Sequence, residues 1–318
     1  MKVIDHEKNA KGRTQFTFEI LPPLKGQDIQ SIFDAIDPLM EFKPPFIDVT
    51  YHREEYNYVK RENGLLEKRV IRKRPGTVGI CAAIQNRYQV DAIPHILCGG
   101  FSQEDTENLL IDLDFLGIDN VVALRGDAVK SETYFKPNKG GHAYAKDLVE
   151  QIKNLNQGQY LDEEILNSTP TDFCVGVAGY PEKHAEAPSL DSDIHFLKEK
   201  IKAGSDYIIT QMFFDNQKFF EFEIKCREAG INVPIIPGLK PLATLKQLNM
   251  IPHRFHVDFP QDLIDAVIKA KDNSAISQIG VEWCIQQSKE LKEHGVPFLH
   301  YYSMGKSKNV KKIATAIF

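Results

Sequence analysis

The sequence lacks the features that mark several protein classes. It holds five cysteines, Cys81, Cys98, Cys174, Cys226 and Cys284, an odd number at wide spacing with no C-x-x-C pair. That argues against a disulfide framework or a zinc site and for a reducing compartment. No apolar run approaches the ~18 residues that span a bilayer. The opening Met1-Lys2-Val3-Ile4-Asp5-His6-Glu7-Lys8 has no apolar signal region. A cytoplasmic protein without a membrane partner is expected. Excess positive charge is missing too, since 39 Lys and Arg face 44 Asp and Glu, a net charge of −5. A nucleic-acid partner is therefore not expected. The run Lys68-Arg69-Val70-Ile71-Arg72-Lys73-Arg74 is the local exception and reads as a solvated helix end.

Motifs are missing as well. There is no G-x-G-x-x-G of a dinucleotide fold, no phosphate-binding G-x-x-x-x-G-K-[ST] loop and no G-x-S-x-G nucleophile elbow. The first strand carries no H-x-H pair. His253 and His256 lie in a proline-flanked stretch without an obvious carboxylate ligand, so no metal is expected.

What is present is a rhythm. The 318 residues are 42% hydrophobic and 26% charged, enough for a sizeable core. Eight segments rich in Val, Ile, Phe, Tyr and Thr read as strands: 16–21, 46–51, 90–96, 120–124, 173–178, 207–213, 233–237 and 298–303. The third is the weakest, because Pro94 cannot donate to a ladder. Helical patterns fill the gaps. Ser102 and Asp105 form a cap pattern ahead of Leu109, Leu110, Leu113 and Leu116, and stripes follow at Ile194, Leu197 and Ile201 and at Ile276, Ile279 and Trp283. Gly117, Gly204, Gly230 and Gly295 each close a helix just before a strand. Eight strands alternating with helices predict a single (β/α)8 barrel domain over 1–318, with extra helices between 241 and 295. The stretches 128–141 and 156–172 read as long loops.

In such a barrel the site lies at the C-terminal ends of the strands. Glu19 sits in an otherwise mostly apolar strand, on the face opposite Phe18 and Ile20. A desolvated carboxyl there is a proton donor near neutral pH, or else half of a structural ion pair with a residue such as Arg125. Arg125-Gly126-Asp127 reads either as a ligand contact or as a strand-to-helix turn. Gln211 suits an amide or pterin edge, or an internal hydrogen bond. His95 and His184 read first as satisfied structural histidines. Lys240, after the seventh strand, keeps a Schiff-base aldolase open.

Six motifs in order carry a resemblance. They are Phe18-Glu19-Ile20-Leu21-Pro22-Pro23, Val49-Thr50-Tyr51, Pro94-His95, Ala123-Leu124-Arg125-Gly126-Asp127, Ala178-Gly179-Tyr180-Pro181-Glu182-Lys183-His184 and Thr210-Gln211-Met212-Phe213-Phe214-Asp215. From about residue 14 onward the chain resembles the methylenetetrahydrofolate reductase family in its short bacterial form, which has no added regulatory domain. The resemblance implies FAD as cofactor, NADH or NADPH as reductant in a ping-pong cycle, and hydride transfer to methylenetetrahydrofolate. It implies methyl-tetrahydrofolate as product, a place in methionine synthesis, and a homo-oligomer, dimer or tetramer. Glu19 matches the family's general acid, and Asp127 the aspartate that meets the pterin and tunes the flavin. Gln211 matches the glutamine that serves folate and nicotinamide in turn. Thr50, Tyr51, His95, Arg125, Gly126, Asp127, Tyr144, Ala145, Tyr180, His184, Ala187, Asp193 and Lys200 match FAD-binding positions, and Gln247 a folate position.

The chain departs from the pattern in places. Leu21 replaces a common Phe, and His52 and Arg53 replace small residues beside the flavin. Phe196 and Glu199 replace polar or basic residues on the FAD-side helix. Lys306 stands near an arginine that meets the folate's glutamate tail, keeping the charge but losing the fork. Segment 54–79 is longer than in enterobacterial relatives and reads as a surface elaboration. The other readings are a different flavin barrel such as a proline dehydrogenase, a flavin-free folate-dependent methyltransferase barrel, and a non-catalytic binding protein.

Overall fold

The computed structural model describes residues 1–129 and 132–318. Helix α1 (Val3–Ala10) precedes strand β1 (Gln15–Ile20), and α2 (Gln30–Ile36) leads to β2 (Phe46–Val49). An antiparallel pair follows, β3 (Glu55–Lys60) and β4 (Leu66–Ile71). Then helix and strand alternate: α3 (Val78–Tyr88), β5 (Asp91–Leu97), α4 (Gln103–Phe115), β6 (Asn120–Leu124), α5 (Ala145–Leu155) and β7 (Cys174–Gly179). The series continues with α6 (Leu190–Lys202), β8 (Tyr207–Thr210) and α7 (Asn216–Glu228). Two short pieces, β9 (Ile235–Ile236) and β10 (Gly238–Leu239), precede α8 (Lys246–Phe255), α9 (Gln261–Ile268) and α10 (Asn273–His294). Strand β11 (Phe298–Tyr302) and helix α11 (Ser307–Ile317) come last.

The main sheet runs β10-β11-β1-β2-β5-β6-β7-β8-β9, and every neighbouring pair is parallel. Its two ends are consecutive pieces of one strand, split at Pro237. β9 pairs with β8 and β10 with β11, so the sheet closes on itself as a (β/α)8 barrel. The proline makes the switch. It has no N–H to give, its carbonyl accepts from the His300 N–H at 3.1 Å, and the Gly238 N–H goes to the Thr210 hydroxyl at 3.0 Å.

Strand alternation sorts the core. Phe16, Phe18 and Ile20 pack outward against the helices with Ile47, Val49, Val175, Val177 and Leu299. Phe46, Ile93, Val122, Cys174, Tyr207 and Phe298 fill the lower barrel interior, and Val3 of α1 packs among them as a floor. The Val3 N–H donates to Asn120 Oδ1 at 2.9 Å, which ties that floor to β6.

All eight expected strands form. Pro94 is tolerated because it stands opposite Val49, the last residue of β2, where that ladder ends. The sixth stops at Thr210 rather than 213, because the Met212 N–H turns back onto the Gln211 side chain at 2.9 Å and the chain enters α7. Ser102 and Asp105 do form a capping box, and the four closing glycines adopt positive φ, 67° at Gly117 to 115° at Gly204. Helices α8, α9 and α10 occupy the 241–295 insertion. Of the loop expected at 128–141, Lys130 and Ser131 lie outside the described residues.

One expectation fails. Lys68–Arg74 is not a helix end, for its first residues are the second strand of a hairpin, with Tyr58 opposite Lys68 and Tyr56 opposite Val70. The turn between the strands carries Asn63-Gly64, with Gly64 at φ 80°, and the Lys68 ammonium sits 3.6 Å above the Tyr56 ring.

Candidate active site

Glu19 occupies the barrel mouth. On β1 it stands beside Asp48 of β2 on one side and Tyr302 of β11 on the other. Phe18 and Ile20 pack outward, so Glu19 points inward, and only 8% of it is exposed. Its Oε2 lies 3.8 Å from His95 Nε2, and that nitrogen is 3.3 Å from Asp48 Oδ2. The three side chains come from adjacent strands β1, β2 and β5, held by parallel pairing.

Burial pushes the Glu19 carboxyl up to about 7. His95 and Lys240 pull it down and Asp48 pushes it further up. Burial opposes a charge on His95, but the hydrogen bond with Asp48 and the charges of Glu19 and Asp48 outweigh that and raise it. Burial drives the neighbouring His300 the other way, down to about 4, so it is neutral at pH 7. Its Nδ1 is 3.0 Å from the Thr17 hydroxyl.

The other strand ends supply the remaining expected groups. After β2, the Thr50 hydroxyl is buried without a partner among the described residues, and the Tyr51 ring lies 5.1 Å from Phe101. After β6 comes Arg125, whose guanidinium forms two 2.7 Å bonds with Glu186. This overturns the ion pair considered between Glu19 and Arg125. Gly126 takes φ 84°, against the Leu97 side chain, and Asp127 is exposed beside it. After β7, Tyr180 and His184 meet edge to face at 4.8 Å. The His184 N–H donates to Asp193 Oδ2 at 3.0 Å, and Ala187 is buried in the same loop. Burial raises the Asp193 carboxyl. Lys200 donates to the Ala178 carbonyl at 2.6 Å, and burial lowers its ammonium to about 8. Gln211 follows β8.

Four expected residues stand at the starts of helices. Tyr144 and Ala145 open α5, where the Tyr144 N–H bonds Asp147 at 3.3 Å and the ring is exposed. The Gln247 side-chain oxygen accepts from Ala243 and Thr244 N–H at 2.7 and 3.1 Å, bracing the start of α8. Lys306 is exposed just ahead of α11, near enough to Lys240 to act on its charge. A separate cleft of about 840 Å³, lined by Glu107, Asp147, Glu150, Asp162 and Glu163, lies outside the barrel between α4 and α5.

Asp48 was missed by the sequence reading. The signal was there, since in Phe46-Ile47-Asp48-Val49 it shares parity with Phe46 and so faces the interior beside Glu19. No described helix is long and apolar enough to cross a membrane. All five cysteines are free and buried.

Known proteins resemble the chain over nearly its whole length. The chain is 31% identical over 329 residues to "Methylenetetrahydrofolate reductase (NADH) 1" of Arabidopsis thaliana, covering 100% of this chain and 50% of that protein. It thus spans about half the length of the plant and fungal relatives it matches. It is 30% identical over 301 residues to "5,10-methylenetetrahydrofolate reductase" of Pectobacterium carotovorum, covering 93% of this chain and 88% of that one. A solved structure shares the fold, with TM-score 0.63, 16% identity, and 99% and 98% of the two chains covered. It is described as an uncharacterized protein from Clostridium thermocellum that binds two copies of 5-methyl-5,6,7,8-tetrahydrofolic acid. The family model for methylenetetrahydrofolate reductase matches residues 4–317, and the chain belongs to that family.

Proposed function

We propose that this single barrel reduces 5,10-methylenetetrahydrofolate to 5-methyltetrahydrofolate, using FAD reduced by NADH or NADPH in a ping-pong cycle. The observation that carries the reading is Glu19, a buried inward carboxyl poised at about 7. A group so poised holds a proton at neutral pH and can still release it. It would protonate the benzoate-side nitrogen of the folate, opening the five-membered ring to an iminium that accepts hydride.

The residues present fit a flavin. Thr50 offers a buried hydroxyl with no partner among the described residues, Gly126 lets the backbone come close, and Arg125 after β6 and Lys200 on the β7 carbonyl of Ala178 supply cations. When bound, FAD supplies the two-electron relay between nicotinamide and folate. Thr50, Tyr51, His95, Arg125, Gly126, Tyr180, His184, Ala187, Asp193 and Lys200 would hold it, with Tyr144 and Ala145 at its far end. Asp127 and Gln211 would orient the pterin, and Gln247 and Lys306 the rest of the folate. We place the enzyme in the cytoplasm as a homo-oligomer, serving methionine synthesis.

The test separates the half-reactions. Glu19→Gln is expected to keep the bleaching of flavin by NADH or NADPH and to lose folate reduction by at least about 100-fold. In the wild type, folate reduction should fall as pH rises through about 7, because the active form is the protonated carboxyl. Equal loss of both half-reactions in a folded, FAD-loaded variant would remove the proton-donor role. A protein that neither binds added FAD nor supports bleaching would favour a flavin-free folate barrel.

A further inference from the structure

Lys240 is a buried charge that the mechanism above leaves without a task. It follows β10 and is only 9% exposed. Its side chain makes no hydrogen bond or ion pair with a described residue. The ladder fixes its place. Gly238 stands beside His300 and Leu239 beside Tyr301, so Lys240 falls level with Tyr302, which itself stands beside Glu19. Leu239 packs outward into the helix-facing core, and alternation sends Lys240 into the mouth. Lys240 and Glu19 thus face inward on one level with a single strand between them, each step being about 4.8 Å. Tyr302, on that strand, is held by its hydroxyl on the Thr210 carbonyl at 2.5 Å.

We infer that Lys240 is a positioning residue for proton transfer: its ammonium, across Tyr302 from Glu19, sets how firmly Glu19 holds the proton destined for the substrate. The inference rests on the proton-donor reading of Glu19. The physics is reciprocal. A cation at this place favours the carboxylate and makes the donor more acidic than burial alone would leave it. The carboxylate in turn favours the ammonium, against burial and against Lys306, both of which lower it. The other charged and titratable groups around the pair are Asp48 from β2, His95 from β5 and Tyr302 from β11, with His300 one level below. His95 acts on Glu19 in the same sense as Lys240, and Asp48 in the opposite sense.

The test is the pH profile of folate reduction by the FAD-loaded, pre-reduced enzyme in wild type, Lys240→Met and Lys240→Arg. Lys240→Met is expected to move the alkaline limb up by about half to one pH unit. Lys240→Arg should keep it in place, and flavin reduction by NADH or NADPH should be unchanged in both. An unmoved limb in Lys240→Met, or an equal shift in Lys240→Arg, overturns the inference. A second measurement needs no turnover. Reductive methylation with 13C-formaldehyde lets the Lys240 amine be titrated by NMR in the wild type and in Glu19→Gln. The amine should titrate at lower pH in Glu19→Gln, and identical curves overturn the coupling even if Lys240→Met does not fold. Absence of folate turnover at every pH in the wild type would instead defeat the reductase reading, while the amine titration would still decide the pairing.

Discussion

Glu182 meets the same physics as Glu19 without a proton to deliver. Its Oε2 accepts the Asp258 N–H at 3.0 Å, while Oε1 is buried with no partner among the described residues. Burial pushes this carboxyl up to about 7, with Asp258 and Asp215 adding to the rise and the Asp258 N–H and Lys218 opposing it. A pKa higher in the folded than in the unfolded chain gives stability that is full at low pH and is lost as pH rises through about 7. Glu182→Gln keeps the acceptor and removes the ionisation. It should match the wild type near pH 4.5 and exceed it at pH 8 by about 1–2 kcal/mol, after discounting for partial exposure. Denaturant midpoints at the two pH values check this, and an unchanged difference would show that the carboxyl ionises without cost. The inward aim of Glu19 was legible because strand period fixes it. The partner of Arg125 was not, because Glu186 arrives on a loop whose path no periodicity encodes.

The hairpin β3–β4 shows the same divide between elements. Its charges suggested a helix end, yet Asn63-Gly64 is a turn signal and Tyr56, Tyr58 and Val70 suit a pleated surface. Charge density drew the reading away from the turn chemistry that decides. Tyr58, Leu66 and Val70 are all more than half exposed, so the hairpin draws little stability from the barrel. Gly64 holds φ 80° with open space around a would-be Cβ, so Gly64→Ala adds backbone strain alone. The expected cost of about 1 kcal/mol should speed amide exchange in β3 about fivefold. The melting temperature of the barrel should not move. A drop in that temperature would mean that hairpin and barrel unfold as one unit.

At the scale of the whole molecule, the barrel divides into a polar mouth and an apolar floor. The strand rhythm was readable because turn residues bound most of the eight apolar segments. The way the barrel closes was not, since it depends on Pro237 dividing one strand between two neighbours. The floor is built by α1, where Val3, fully buried, touches the layer of Phe46, Ile93, Tyr207 and Phe298. The mouth is built at the opposite strand ends, around Glu19, His95 and Lys240, and the two regions share strands but no side chains. Damage to the floor should therefore lower stability without retuning the chemistry. Val3→Asp places an unpaired carboxylate in the apolar layer and should cost about 3 kcal/mol or more, lowering the melting temperature by about 5 °C or more. Below that temperature, the alkaline limb of folate reduction should stay near 7, where Glu19 sets it. Thermal melting and the pH profile, taken on the same preparation, check both halves. A limb that moved along with the melting temperature would show that the floor reaches the carboxyl through the barrel interior, by way of Asp48 and His300.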